Sequence, residues 1–259
     1  MQSLKPYYGE LGVDSGMSPL HNPIQIFGSV HCALIEEIQP EVVSFHFGVP
    51  AKHLLERVRR SGAKIMSSAT TVEEASWLEA AGCDAIIAQG FEAGGHRGTF
   101  LRDIDAQVGT MALVPQIHDA VRVPVIAAGG IGDPRGVAAA FALGASAVQV
   151  GTSLLFCNEA NIPPLYRRVL RAAPPDQTVI TNVFTGRPAR ALETRIVREL
   201  GPIAKEAPPF PLAAVALAPL REASEPYEST DFTPLWCGQA MCLSPELPAG
   251  ELTTWLCSD

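Results

Sequence analysis

Five short apolar runs recur along the middle of the chain, at 42–47, 64–69, 85–89, 124–130 and 147–152. Their starts lie mostly about 22 residues apart, room for one strand, one helix and two loops. Helical patterns fill the intervals. In 51–61, Leu54, Leu55 and Val58 share a face; in 71–81, Thr70 or Thr71 precedes Glu73 and Glu74 as in a capping box; Gly62 and Gly82 follow as helix-ending glycines. A further helix is expected from about Thr110 to Val121. Strand and helix alternating at this period dictate an α/β chain with a parallel sheet, either closed as a (β/α) barrel or open and doubly wound.

The strand ends favour the barrel. Gly129-Gly130 ends one run and Gly151-Thr152 the next, so two consecutive strands end in bare backbone suited to a phosphate, a barrel habit. No G-x-G-x-x-G opens a helix after a strand, as a dinucleotide fold would need. An eight-unit barrel would still lack its first three strands, since 1–41 offers turn signals (Gly9, Gly12, Gly16, Pro19, Pro23) and one helix, 26–38. Beyond Cys157 prolines cluster, and helical patterns appear at 165–172, 189–200 and 212–223 without strand periodicity. The expected organisation is therefore an N-terminal helical and loop segment (1–41), the C-terminal part of a barrel (42–157) and a helical extension (158–259).

At 47% hydrophobic and 18% charged, the 259 residues suit a globular protein with one substantial core. A net charge of −8 argues against nucleic acid or an anionic membrane as partner. Residues 136–158 carry no charge, yet they divide into an Ala-rich helix, a turn at Gly144 and a strand, and do not form a membrane span. The six cysteines lack CxxC spacing and no secretory leader precedes them, so a reduced, cytoplasmic setting is expected. Cys237 and Cys242 are read as plain buried thiols, with no metal site.

Catalytic groups of a parallel barrel sit at the C-terminal ends of its strands. Gln89, Gly90, Glu92, Gly94, His96, Gly129, Gly130, Gly151 and Thr152 all fall there. The segment 89–98 carries four glycines around one imidazole that titrates near cellular pH, and His96 is the expected acid or base. Glu92 and Arg97 are expected to orient the loop or pair with each other. Gln89 suits either the edge of a heteroaromatic ring or a contact to neighbouring backbone. Ser67 and Ser68 end the second run, and His46, at the end of the first, is read as structural.

Residues 88–98, 125–131 and 149–152 together resemble the nitronate monooxygenase family, formerly called 2-nitropropane dioxygenases. The resemblance extends from about Val42 to the C-terminus and includes 43–48, 184–190 and 235–239. It implies an FMN-binding (β/α)8 TIM-barrel type fold, incomplete at the N-terminus with about five βα units, and a helical extension. It implies oxidation of alkyl nitronates, the anions of nitroalkanes, by O2 to a carbonyl compound and nitrite, without NAD(P)H. The family's catalytic histidine matches His96, and its flavin-binding positions match Ser68, Gln89, Gly94, Gly129, Gly130, Gly151 and Thr152. The opening strand of Pro-Ile-Ile-Gln-Ala-Pro-Met type found in the family has no counterpart here. Alternatives are an FMN-dependent NAD(P)H reductase of enoyl-acyl carrier protein or quinone type, and an inactive remnant or a subunit completed by a separately encoded N-terminal piece. Homo-oligomerisation is a further expectation left open.

Overall fold

The computed structural model describes residues 2–14, 26–105, 107–174 and 176–258; Gly16, Pro19 and Pro23 lie outside them. In chain order the strands are β1 (Val42–Phe45), β2 (Lys64–Ala69), β3 (Ala85–Gln89), β4 (Gly95–His96), β5 (Val125–Ala128), β6 (Ala147–Gln149), β7 (Thr178–Thr181) and β8 (Ala189–Leu192). The helices are α1 (Lys5–Glu10), α2 (Ser29–Ile38), α3 (Lys52–Arg60), α4 (Val72–Ala80), α5 (Thr110–Ala120), α6 (Pro134–Ala142), α7 (Pro164–Ala172), α8 (Arg195–Leu200), α9 (Leu212–Ser224) and α10 (Ala249–Leu256). They group into two compact units.

The sheet unit comprises the described parts of Gln25–Ala93, Arg97–Val150 and Thr254–Asp259. Its five strands are all parallel, in the order β1-β2-β3-β5-β6. The order never reverses, and right-handed crossovers then place every connecting helix on one face. A doubly wound sheet would need a reversal, so the sheet is of barrel type. Register puts Ile65, Ile86, Val125 and Ala127 on one common face, all fully buried. Helix residues Val58, Leu78, Leu113 and Ile117 are equally buried, which accounts for the apolar periodicity of α3 to α5. Thr71 caps α4 as expected, its Oγ1 accepting from Glu74 N at 3.1 Å, but the reciprocal half of the box does not form. Glu74, fully buried, instead accepts from Thr70 N and Oγ1, each at 2.7 Å.

The second unit joins the start of the chain to Gly94–His96 and Gly151–Thr253. The tail expected to be helical carries α7, α8 and α9, but also two strands. β7 and β8 pair antiparallel, β8 pairs with β4 on its other side, and the resulting sheet runs β4-β8-β7. The helix expected over 189–200 is thus strand to Leu192 and helix only from Arg195. Ala-Arg-Ala-Leu has helical propensity, but a strand buried at every position and paired on both sides overrides it. One core cluster unites Tyr7, Tyr8, Phe184, Ile196, Leu220 and Phe232; a second gathers Phe156, Leu170, Leu192, Leu235 and Met241. Among the described residues no helix is long and apolar enough to cross a membrane.

Candidate active site

The strand ends of the sheet unit meet in register. Ser68 lies opposite Ile87, Gln89 opposite Ala128 and Ala128 opposite Gln149, so Ser68, Gln89 and the turn Gly129-Gly130 lie at the same, C-terminal end of the parallel strands. Ser68 Oγ lies 3.0 Å from His46 Nδ1, and both pack against Gly98, where a Cβ would come within 2.8 Å of the His46 ring. Gln89 Oε1 accepts from Gly98 N at 2.8 Å, the backbone contact that was one of its two expected uses.

Glu92 and Arg97 orient the loop, each by its own contacts. The Arg97 guanidinium, fully buried, donates to Gly90 O at 2.6 Å, Gln89 O at 3.0 Å and Gln107 Oε1 at 2.7 Å. Glu92 accepts from Thr110 N at 2.8 Å and Thr110 Oγ1 at 2.9 Å, capping the first turn of α5. Thr110 Oγ1 also lies 2.8 Å from Gly129 O, which ties the glycine loop to the turn after β5. Downstream, Glu74 accepts from Phe100 N at 2.7 Å and Leu101 N at 3.1 Å and so anchors the end of the loop.

From Ala93 the chain passes into the second unit for three residues. Gly94 sits where a Cβ would lie 2.5 Å from both the Cys237 carbonyl carbon and Gly238 N, so close backbone packing demands glycine there. Gly95 and His96 form β4, opposite Arg190 and Ala189. His96, half-buried, has Nε2 2.9 Å from Thr185 Oγ1, and its ring lies 5.5 Å from the Trp236 ring and 5.4 Å, edge to face, from Phe210. Thr185 and Trp236 lay within the recognised tail segments without an assigned role, and Phe210 was not singled out. Their signal was the Thr185-Gly186-Arg187 turn and the aromatic before Cys237.

Gly151 precedes a short 3-10 helix whose first residue, Thr152, accepts from Gly238 N at 2.9 Å. The N-terminus of α6, which follows the Gly129-Gly130 turn, is already capped: Asp133 Oδ1 accepts from Gly136 N at 3.1 Å. The Arg135 guanidinium and that N–H hold the Asp133 carboxyl below the usual carboxylate range, so this helix end carries its own anion. Near Gly94, burial pushes the Cys237 thiol up to about 12, which keeps it neutral, whereas Cys242, expected to be buried as well, is exposed. Among the described residues no group of three or more His, Cys, Asp or Glu side chains is arranged to hold a metal ion.

A family model described as nitronate monooxygenase matches residues 18–259. This chain belongs to the nitronate monooxygenase family. A nitronate monooxygenase of Pseudomonas aeruginosa is 39% identical over 258 residues, 96% of this chain and 72% of the relative. That of Paraburkholderia phytofirmans is 42% identical over 227 residues, 86% of this chain and 62% of the relative. Among solved structures, the nitroalkane oxidase of Streptomyces ansochromogenes superposes with a TM-score of 0.87 at 36% identity, covering 98% of this chain and 73% of that one. FabK of Thermotoga maritima follows the same fold with a TM-score of 0.72 at 31% identity, covering 92% and 72%.

Proposed function

We propose that this chain is an FMN-dependent oxidoreductase that converts alkyl nitronates and O2 to a carbonyl compound and nitrite. The observation that carries the reading is His96, a half-buried imidazole held by Thr185, Trp236 and Phe210 in a chain of this family. FMN, when bound, supplies the acceptor for substrate electrons and their passage to O2. Ser68, Gln89, Gly94, Gly129, Gly130, Gly151 and Thr152 are the residues that would hold it. Gly151 supports the assignment: its φ of −114° suits any residue and a Cβ would meet no atom within 4 Å, so no contact inside the protein requires glycine there. The turn at Gly129-Gly130, with φ of +103° and +72°, presents backbone amides of the kind that hold phosphate. Thr152, while accepting from Gly238, keeps its hydroxyl hydrogen to donate. Gly94 contributes through the backbone packing that sets the loop.

Neutral His96 takes the α-proton of a nitroalkane; protonated, it pairs with the negative nitro group of a nitronate. Trp236 and Phe210 pack against the ring and take the place of part of its water, which strengthens either interaction. Purified protein is expected to show flavin absorbance and to consume O2 with release of nitrite when given propionate 3-nitronate. Protein that takes up neither its own nor added FMN, and consumes no O2, would sink the reading. Anaerobic bleaching of the flavin by NADH would favour the reductase alternative. Sedimentation of the active species separates a monomer from a homo-oligomer or a complex with a separately encoded piece.

A further inference from the structure

Resting on the reading of His96 as the proton-handling group, we propose that Thr185 is a positioning residue that fixes His96 as its Nε2–H tautomer and steadies the imidazolium form. The hydrogens and lone pairs at Thr185 Oγ1 decide the tautomer. A threonine hydroxyl has one hydrogen and two lone pairs. Three groups converge on Thr185 Oγ1: Arg187 N at 3.3 Å, Arg187 O at 3.2 Å and His96 Nε2 at 2.9 Å. Arg187 N–H takes one lone pair and the Arg187 carbonyl takes the hydroxyl hydrogen. The second lone pair is then left for His96, and all three contacts are satisfied together only when Nε2 carries a hydrogen. An Nε2 without one would have to draw the hydroxyl hydrogen away from the Arg187 carbonyl.

The surroundings hold this arrangement still. Thr185 is buried, and Gly186 N donates to Asn182 O at 2.7 Å. Gly186 has φ +87°, and a Cβ there would lie 2.1 Å from Pro208 O, so the turn is packed hard against the segment that delivers Phe210 to the imidazole. The backbone of His96 is fixed in turn by its pairing with Ala189. The α-proton of a nitroalkane passes to the imidazole. The C–H electron pair stays on carbon as the nitronate, and the imidazolium keeps its Nε2–H on Thr185. Of the charged residues nearby, Arg190 pairs with Gly95 and so lies on the opposite face of the strand pair from His96, its guanidinium 3.0 Å from Thr178 Oγ1, and Arg187 lies on the turn that carries Thr185.

Histidine 15N NMR across pH, on wild type, Thr185→Val and Thr185→Ser, tests the assignment without flavin or turnover. Wild type is expected to show the Nε2–H tautomer when neutral. Thr185→Val should lower the His96 pKa by about one unit, because the imidazolium loses its acceptor, and Thr185→Ser should keep it. In turnover, kcat/KM for a nitroalkane should fall about tenfold in Thr185→Val, with the acidic limb of its pH profile moved to lower pH, and recover to within about threefold in Thr185→Ser. An Nδ1–H tautomer in wild type, or an unchanged titration in Thr185→Val, overturns the proposal. Wild type with the expected tautomer and titration but no turnover of nitronate or nitroalkane overturns the functional reading and leaves the assignment of Thr185 standing.

Discussion

Gly94 and Gly151 are glycine for opposite reasons, and the contrast separates packing from ligand binding. An alanine methyl at Gly94 meets backbone atoms of Cys237 and Gly238 that cannot rotate away, whereas at Gly151 it meets nothing within 4 Å. Gly94→Ala should therefore cost about 2 kcal/mol of stability, from the backbone shift needed to relieve the overlap. Gly151→Ala should leave the melting temperature within about a degree of wild type and weaken FMN retention, since its methyl would stand where a phosphate approaches backbone N–H groups. Thermal unfolding with and without FMN, followed by flavin fluorescence of the released fraction, reads both effects. A Gly151→Ala protein that retains FMN as wild type does would remove that residue from the proposed site.

Two helix starts explain why the supporting groups of the site are harder to read than its glycines. Glu74 reads as one half of a capping box, but its carboxylate gathers N–H and O–H groups from Thr70, Thr99, Phe100 and Leu101, most of them distant in sequence. Glu74→Gln turns two acceptor oxygens into one and sets an amide N–H2 against N–H donors. It should cost about 3 kcal/mol and loosen the end of the loop that bears His96, measurable by urea unfolding and by hydrogen exchange at Phe100 and Leu101. Asp133 at the start of α6 has its carboxyl held below its unfolded value by Arg135 and Gly136 N–H. Its contribution is complete above the unfolded carboxylate pKa of about 3.9 and disappears as pH falls below that, through the lower folded value. Asp133→Asn should lower stability at pH 7, where the charged cap contributes fully, and remove the loss over that acid interval, so that urea unfolding of the two proteins converges at low pH. The five parallel strands were legible because each is an apolar run bounded by turn residues, and α3, α4, α5, α7 and α9 lie within about three residues of their expected bounds. β7 and β8 were not legible: four residues each, the second built from helix formers, they are strands because they pair along their whole length and β8 also meets β4 across about 95 positions of sequence. Thr185 shared that obscurity, since its partner His96 arrives through the same pairing.

For the whole molecule, the notable feature is apolar surface left in water. Ile26, Val30, Leu34 and Ile38 are 82%, 78%, 53% and 63% exposed, and their spacing of four places the last three along one side of α2. The opposite side carries Cys32, which is fully buried, so the helix is anchored by one face and shows its apolar stripe on the other. On the face of the sheet opposite the Ile65–Ile86–Val125 row, Ile87 and Gln89 are buried, but Met66 and Ile126 are only half-buried and Ser44 and Gln149 exposed towards the flanking strands. β1 is also an edge strand, with Val42 43% exposed. A continuous stripe of branched aliphatic residues beside an open edge promotes association in free solution and contributes nothing to the fold that a polar residue could not. Val30→Lys and Leu34→Lys combined should therefore reduce binding of a hydrophobic dye and light scattering on concentration, while changing the unfolding free energy by no more than the roughly 0.5 kcal/mol expected of surface changes. If the double variant instead unfolds several degrees earlier, the stripe carries packing that its exposure does not reveal, and α2 belongs to the core.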